Sequence, residues 1–287
     1  MDQKPCRVSI VIPCYNGGQW LAGAIRSARD QEEDGISVDV IVVDDGSTDP
    51  QTLDLLDNLP EGIRLHRQAN AGLPAARNAG LRLATGDYLL PLDCDDELKP
   101  GFLRAGLDRL EANPALAFVF SRLELTGEAT GVLDKTYNAF DQLFLNQLPY
   151  CLLMRHSTYE AADGYDETMR DGYEDWEFNI RLGGLGLHGE ALDKAYFVYR
   201  VAAGGMLQAK SRQLHAQLWA AIQKRNRARY QAGALFDCWR RWGTKAYPLP
   251  LVLGLYLFHK AVPAALFNRV FALALSRSHS ERASRRN

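Results

Sequence analysis

Apolar and polar positions over the first 121 residues alternate between two periods. Val8-Ser9-Ile10-Val11-Ile12-Pro13 is a β-branched apolar run that stops at Asn16-Gly17-Gly18, which predicts a buried strand ending in a loop. Trp20, Leu21, Ala24, Ile25 and Ala28 then recur at helical spacing. Residues 38–43 repeat the strand pattern and stop at the polar turn Asp44-Asp45-Gly46-Ser47-Thr48-Asp49. Residues 52–59 read as helix, 63–66 as a short strand, 72–84 as helix, and 87–92 as a fourth strand running into Asp93. A helix over 100–113 and a strand over 116–121 complete the series.

Strands alternating with helices predict an α/β fold: a mixed, mostly parallel sheet flanked by helices. In such sheets the ligand crevice lies beyond the carboxyl ends of the strands. The loops at Tyr15-Asn16, Asp44-Asp45 and Asp93-Cys94-Asp95 are therefore expected to converge on one site.

Beyond residue 121 the pattern weakens. Helices are expected over 137–148 and 174–182, and a strand over 195–199. A long basic helix is expected over 208–230. Residues 246–259 carry no formal charge and include Pro248 and Pro250. They are fewer than the roughly 18–20 residues that span a bilayer. With their basic flanks they fit either a segment lying in a membrane interface or a helix pair packed on protein.

Charge divides the chain in two. Residues 1–204 hold 18 Lys/Arg against 33 Asp/Glu, whereas residues 205–287 hold 15 against 2. The body is acidic, and the helical C-terminal extension is basic enough to seek an anionic surface. No stacking or groove-reading motif supports a nucleic-acid partner. The five cysteines form no C-x-x-C pair, so neither a disulfide framework nor a zinc site is expected. No signal peptide is expected at the start of the chain. These features suggest a cytoplasmic protein, peripheral on the inner face of the membrane. The six histidines show no ligand spacing.

The Asp-x-Asp at Asp93-Cys94-Asp95 has a specific chemical use. Carboxylates are hard ligands for Mg²⁺ or Mn²⁺, which can also bind diphosphate oxygens and offset charge on a departing nucleoside diphosphate. A solvated acidic turn is the plainer reading.

Four segments occur in order: residues 8–16, 42–49, Asn70-Ala71-Gly72-Leu73-Pro74-Ala75-Ala76-Arg77-Asn78, and Gly86-Asp87-Tyr88-Leu89-Leu90-Pro91-Leu92-Asp93-Cys94-Asp95-Asp96. Together they resemble the inverting family 2 glycosyltransferases of the GT-A fold, over about residues 6–201. The resemblance implies a catalytic domain over 1–204, with a nucleotide-sugar half at 1–98 and an acceptor half at 99–204, and an extension over 205–287. It implies a nucleotide-sugar donor, most simply a UDP-sugar, a divalent metal (Mn²⁺ or Mg²⁺), and a hydroxyl on a glycan or lipid-linked acceptor.

Residue by residue, it implies that Pro13, Tyr15 and Asn16 line the nucleotide pocket and that Asp44 accepts a hydrogen bond from the base. Asn70, Arg77 and Cys94 neighbour the donor. Asp93 lies near ribose and metal, and Asp95 is the direct metal ligand. Arg77 equally suits a structural salt bridge. Glu174-Asp175, opening a helix, resembles the family's acidic motif. Asp175 is the expected general base and Glu174 the second catalytic acid, holding the acceptor or next in line as base, although both are also ordinary first-turn residues. Trp176 suits either a sugar-stacking or a core position.

The segment after Tyr199-Arg200 departs from the family pattern: Val201 to Met206 contains no histidine, and Gly205 stands where the family has Ser. No third protein ligand is therefore named. Two other readings compete. A nucleotidyltransferase would want a Gly-rich signature with a lysine, which Asn16-Gly17-Gly18 lacks. An inactive scaffold binding nucleotide-sugar or membrane is opposed by the presence of Asp44, Asp93, Asp95, Glu174 and Asp175.

Overall fold

The computed structural model describes residues 5–202, 211, 213–245 and 247–271. The chain divides into two compact units. The first comprises the chain up to Tyr137, Asn146–Arg170 and Glu174–Ala202; the second comprises Asn138–Leu145, Asp171–Tyr173 and the chain beyond Ala202.

The first unit is built on β1 (Cys6–Cys14) and β2 (Ile36–Asp44), which pair in parallel from Cys6↔Ile36 to Cys14↔Asp44. The two strands end level, so the polar loops after them emerge side by side. β4 (Tyr88–Pro91) pairs in parallel with the other side of β1, and β3 (Arg64–Arg67) with β2. The sheet continues through β9 (Leu153–Arg155) to β6 (Leu116–Phe120) and β10 (His188–Ala191), in the order β10-β6-β9-β4-β1-β2-β3. Among the described strands of this sheet, β9 alone runs against its neighbours.

Both faces of the sheet are covered, which explains the unbroken apolar runs. Val8, Ile10 and Ile12 share one core with Leu21, Ala24, Ile25 and Ala28 of α1 (Gly18–Arg29) and with α4 (Phe102–Ala112). Val11 points the other way, onto α3 (Leu73–Leu83), as strand alternation requires. α3 lies flush on the sheet at Gly80: a Cβ built there would stand 2.3 Å from Val11 Cγ1 and 2.9 Å from Val43 Cγ2. The smaller α2 (Pro50–Asp57) is capped by Asp49, whose carboxylate accepts from Thr52 N at 2.8 Å.

Hydrophobic periodicity reveals one strand of the second sheet, the one expected over 195–199. β5 (Glu97–Leu98), β11 (Phe197–Val201), β7 (Leu123–Gly127) and β8 (Gly131–Leu133) pair in the order β5-β11-β7-β8. β5 has two residues and β8 is exposed throughout, so neither leaves an apolar signature. α5 (His156–Ala161) and α6 (Glu174–Gly184) complete this unit.

In the second unit, the helix expected over 137–148 is reduced to a 3-10 turn at Asp141–Leu143. Asn138 Oδ1 accepts from Phe140 N and Asp141 N and closes the turn. The long helix expected over 208–230 is α7 (His215–Arg225), followed by a 3-10 turn at Arg227–Tyr230. Asn226 ends α7, its Nδ2 donating back to Ile222 O. Residues 208–210 and 212 of that expectation lie outside the described residues. α8 (Ala232–Trp242) and α9 (Leu249–Ala261) follow, and residues 264–271 are helical. Trp219, Ile222 and Phe267 are fully buried. Trp219 Nε1 and Tyr230 Oη both donate to Leu143 O, at 3.1 and 2.6 Å.

Candidate active site

The loops after β1 and β2 are sewn together by Asn16. Its Oδ1 accepts from Thr48 N at 2.8 Å and from Asp49 N at 2.9 Å, while its own N–H donates to Ser47 Oγ at 3.0 Å. Asn16 has φ +52°, in the left-handed region that asparagine tolerates. Pro13 is buried opposite Val43, whereas Tyr15 is 51% exposed beyond the strand end.

The acidic turn after β2 divides its work. Asp44 Oδ1 accepts from Ser47 N at 2.8 Å, and Oδ2 lies 3.7 Å from Arg67 Nε. Asp44 thus caps the turn. Asp45 clamps the next loop: it accepts from Ala71 N, Gly72 N and Gln68 Nε2 at 2.7–2.9 Å. Asn70, in that loop, accepts from Arg170 Nη2 at 3.0 Å.

Arg77 is the hub. It is 1% exposed, on the buried side of α3. Nη2 donates to both oxygens of Asp93, at 2.7 and 2.9 Å, and Nη1 to Glu174 Oε1 at 2.6 Å. Its guanidinium lies 4.6 Å from the Tyr150 ring centroid and 5.5 Å from that of Tyr165. Burial acts to lower its pKa, but Asp93 and Glu174 outweigh this and hold it well above its ordinary value. Its Nε is buried without a hydrogen-bond partner. Of the two roles open to Arg77 in the sequence, the salt bridge describes what its amino groups do here.

This one side chain joins the acids at the end of β4 to the start of α6. Glu174 is pushed up to about 7, mainly by burial; Arg77 opposes this and the Asp175 charge adds to it. Asp175 is half-buried and held at both oxygens: Asn146 Nδ2 donates to Oδ2 at 2.9 Å and Trp176 N donates to Oδ1 at 2.7 Å. Burial lowers the pKa of nearby Lys135, and the charge of Asp175 partly restores it. Trp176 is 2% exposed, a core position.

Asp95 and Asp93 bear on the metal question. The Asp95 carboxyl is pushed up to about 6, by burial first and by the Asp93 charge second. Partly buried negative charge in excess suits a hard cation. Both Asp93 oxygens already accept from Arg77, and among the described residues no group of three or more His, Cys, Asp or Glu is arranged to hold a metal. A cation bound here would take Asp95 as its protein ligand and would not be caged by protein. Cys94, between the two acids, hydrogen-bonds the Cys14 thiol at the end of β1. The glycine turn at 204–206 lies outside the described residues.

The fold supplies three neighbours that sequence reading missed. Tyr150 Oη accepts from Asp93 N at 2.9 Å and donates to Asp96 Oδ2 at 2.5 Å. Arg200 donates its N–H to Asp96 Oδ1 and its Nε–H to Asp95 O, at 2.7 and 3.1 Å, with its guanidinium 3.9 Å from the Trp20 ring centroid. Asn146 is the third. Only Arg200, near the end of β11, had a visible signal.

The profile of glycosyl transferase family 2 matches residues 9–161, just over half of the 287 residues. The chain belongs to that family. Its sheet is mixed and mostly parallel, and it lies between helices. The chain is 29% identical over 188 residues to chondroitin synthase of Escherichia coli, covering 62% of this chain and 27% of that protein. It is 39% identical over 116 residues to the succinoglycan biosynthesis protein ExoO of Rhizobium meliloti, covering 39% and 32%. The chain thus spans about a quarter to a third of these two relatives. Residues 1–349 of S. aureus TarS, solved in complex with UDP-GlcNAc, superpose with a TM-score of 0.63 at 21% identity, covering 76% of this chain and 66% of that one. At that identity the likeness is one of fold.

Proposed function

We propose that this family 2 glycosyltransferase moves a sugar from a nucleotide-sugar donor, a UDP-sugar, to a hydroxyl of a glycan or lipid-linked acceptor, with inversion at the anomeric carbon. The observation that carries the reading is the Arg77 bridge, which ties Asp93 at the strand end to Glu174 beside the base candidate. The reading assigns residues 1–98 to the donor and 99–204 to the acceptor. Its setting is the assembly of a surface polysaccharide, as the names of the synthase and succinoglycan relatives suggest.

Asp44, with Pro13, Tyr15 and Asn16 beside it, would receive the nucleotide base. Asn70 and Cys94 would border the donor, and Asp93 the ribose. Asp95, with Asp93 close by, would hold a divalent cation, which offsets the charge developing on the leaving diphosphate. Asp175 takes the proton of the attacking hydroxyl. Its two hydrogen bonds fix the carboxylate before the acceptor arrives, which limits the reorganisation needed at the transition state. Glu174 keeps Arg77 in place and so couples the base to the donor side. The basic 205–287 segment would meet an anionic membrane surface from its inner face.

The test is Asp175→Asn, with turnover and donor affinity measured separately. We expect donor affinity to persist and turnover to fall by about 10²–10⁴-fold. Near-normal turnover would remove Asp175 as the base.

A further inference from the structure

α9 is apolar around most of its surface, Lys260 in its last turn apart, but covered on only one side. Val252 is 3% exposed, and the adjacent turns on that side present Tyr256 and His259 to other aromatic rings of the second unit. Tyr256 lies 5.8 Å from Phe144 and 5.9 Å from Tyr230, ring centroid to centroid, and His259 lies 4.5 Å from Trp219. On the opposite side stand Pro250, Gly254, Leu257 and Ala261, all exposed, with Leu251 at the edge. Leu257 is 64% exposed and Leu251 59%. The helical residues 264–271 repeat the arrangement, with Phe267 buried and Leu266 and Val270 outside. α8 has no buried residue at all, although Leu235, Phe236, Trp239 and Trp242 fall along one side and Arg240 and Arg241 on another.

A helix face in water is ordinarily polar, and an apolar face left open marks a partner. Charge selects the partner here. Around these faces lie Arg240, Arg241, Lys245, Lys260 and Arg269, against the single acid Asp237 among described residues 211–271. A second copy of this chain would bring two such basic surfaces together. Anionic lipid would neutralise them while accepting the leucines. α9 has 13 residues, about 20 Å at helical rise, against about 30 Å of hydrocarbon. Among the described residues no helix is long and apolar enough to cross a membrane.

We propose that the outer faces of α8, α9 and residues 264–271 lie in the headgroup layer of an anionic membrane, with Leu251, Leu257, Leu266 and Phe236 inserted. This deepens the membrane reading above and is independent of the transfer chemistry.

The experiment is co-sedimentation of the full chain with vesicles of phosphatidylcholine alone, or of phosphatidylcholine and phosphatidylglycerol in about a 3:1 ratio. It is paired with analytical ultracentrifugation without lipid. We expect binding to the mixed vesicles only, weakened by salt, and reduced at least about tenfold by Leu251→Ser with Leu257→Ser. Both positions are exposed, so the variant should fold, and unchanged circular dichroism and donor affinity check this. No sedimentation with mixed vesicles, or equal sedimentation of variant and wild type, overturns the proposal. A stable dimer that the serine pair dissolves would also overturn it, in favour of a second copy.

Discussion

Replacing Arg77 with methionine removes the charge but keeps most of the side-chain length. Two carboxylates, Asp93 and Glu174, then lose donors now held at 2.6–2.9 Å. Glu174 is 5% exposed, so water cannot readily take the place of the guanidinium. Breaking a buried ion pair by deleting one partner costs about 3–5 kcal/mol, because the survivor stays desolvated. The Tyr150 and Tyr165 ring contacts add to the loss. Urea denaturation of Arg77→Met should therefore show a loss of about 3–5 kcal/mol near neutral pH, with m unchanged. The loss should also depend on pH. Without Arg77, which now pulls Glu174 down, the folded-state pKa of that acid rises further above its unfolded value. The folded variant then holds a proton that the unfolded chain releases, so the variant regains stability relative to wild type as pH falls. Adding Glu174→Gln should recover part of the loss, with a coupling of about 0.5–3 kcal/mol. A loss below about 1 kcal/mol, or one that does not shrink on acidification, would refute the hub role of Arg77.

Three further outcomes are expected. Asp95→Asn should lose the Mn²⁺-dependent part of UDP affinity in calorimetry while leaving metal-free binding unchanged; equal Mn²⁺ enhancement in both proteins would exclude Asp95 as a ligand. His215, pushed down to about 4 by burial and then by His259, favours the folded state above its unfolded pKa and loses that contribution as pH falls through the folded one. Denaturation between about pH 7.5 and pH 4 should show about 3 kcal/mol of loss, flattened in His215→Phe; a parallel loss in that variant would point to other groups. Gly80→Ala gains helix propensity of about 1 kcal/mol but drives a methyl into Val11 and Val43, so thermal denaturation should show net destabilisation of about 1–2 kcal/mol. An unchanged or higher Tm would mean that α3 can lift off the sheet freely.

The sequence disclosed most where burial was two-sided. β1, β2 and β4 are covered by helices on both faces, so they appear as continuous apolar runs, and the acids at their ends could be named in advance. It disclosed least in short or exposed elements. β5 and β8 bury almost nothing, and α7 ends where an Asn226 side chain turns back on its own helix, which hydrophobic spacing does not register. The site divides the same way. Asp44, Asp93, Asp95, Glu174 and Asp175 were legible as acids at strand or helix ends. That Arg77 would bind two of them depends on contacts 16 and 97 residues apart. Asn146 lies in a stretch whose expected helix shrinks to the 3-10 turn at Asp141–Leu143, and Tyr150 follows it in irregular chain.

The reversed direction of β9 has a further consequence. β6 leaves the sheet at Phe120, and β9 re-enters at Leu153, at the same edge, because the two strands are antiparallel with Val119 opposite Leu153. Residues 121–152 therefore form an excursion whose two ends are anchored next to each other at the rim where Asp93 lies. Such a segment can be lengthened, shortened or exchanged while its anchor points stay put, because loop closure responds only weakly to length. The end of the excursion nearest β9 is less exchangeable than the rest, because Asn146 holds Asp175 and Tyr150 packs on Arg77 and bonds Asp93 and Asp96.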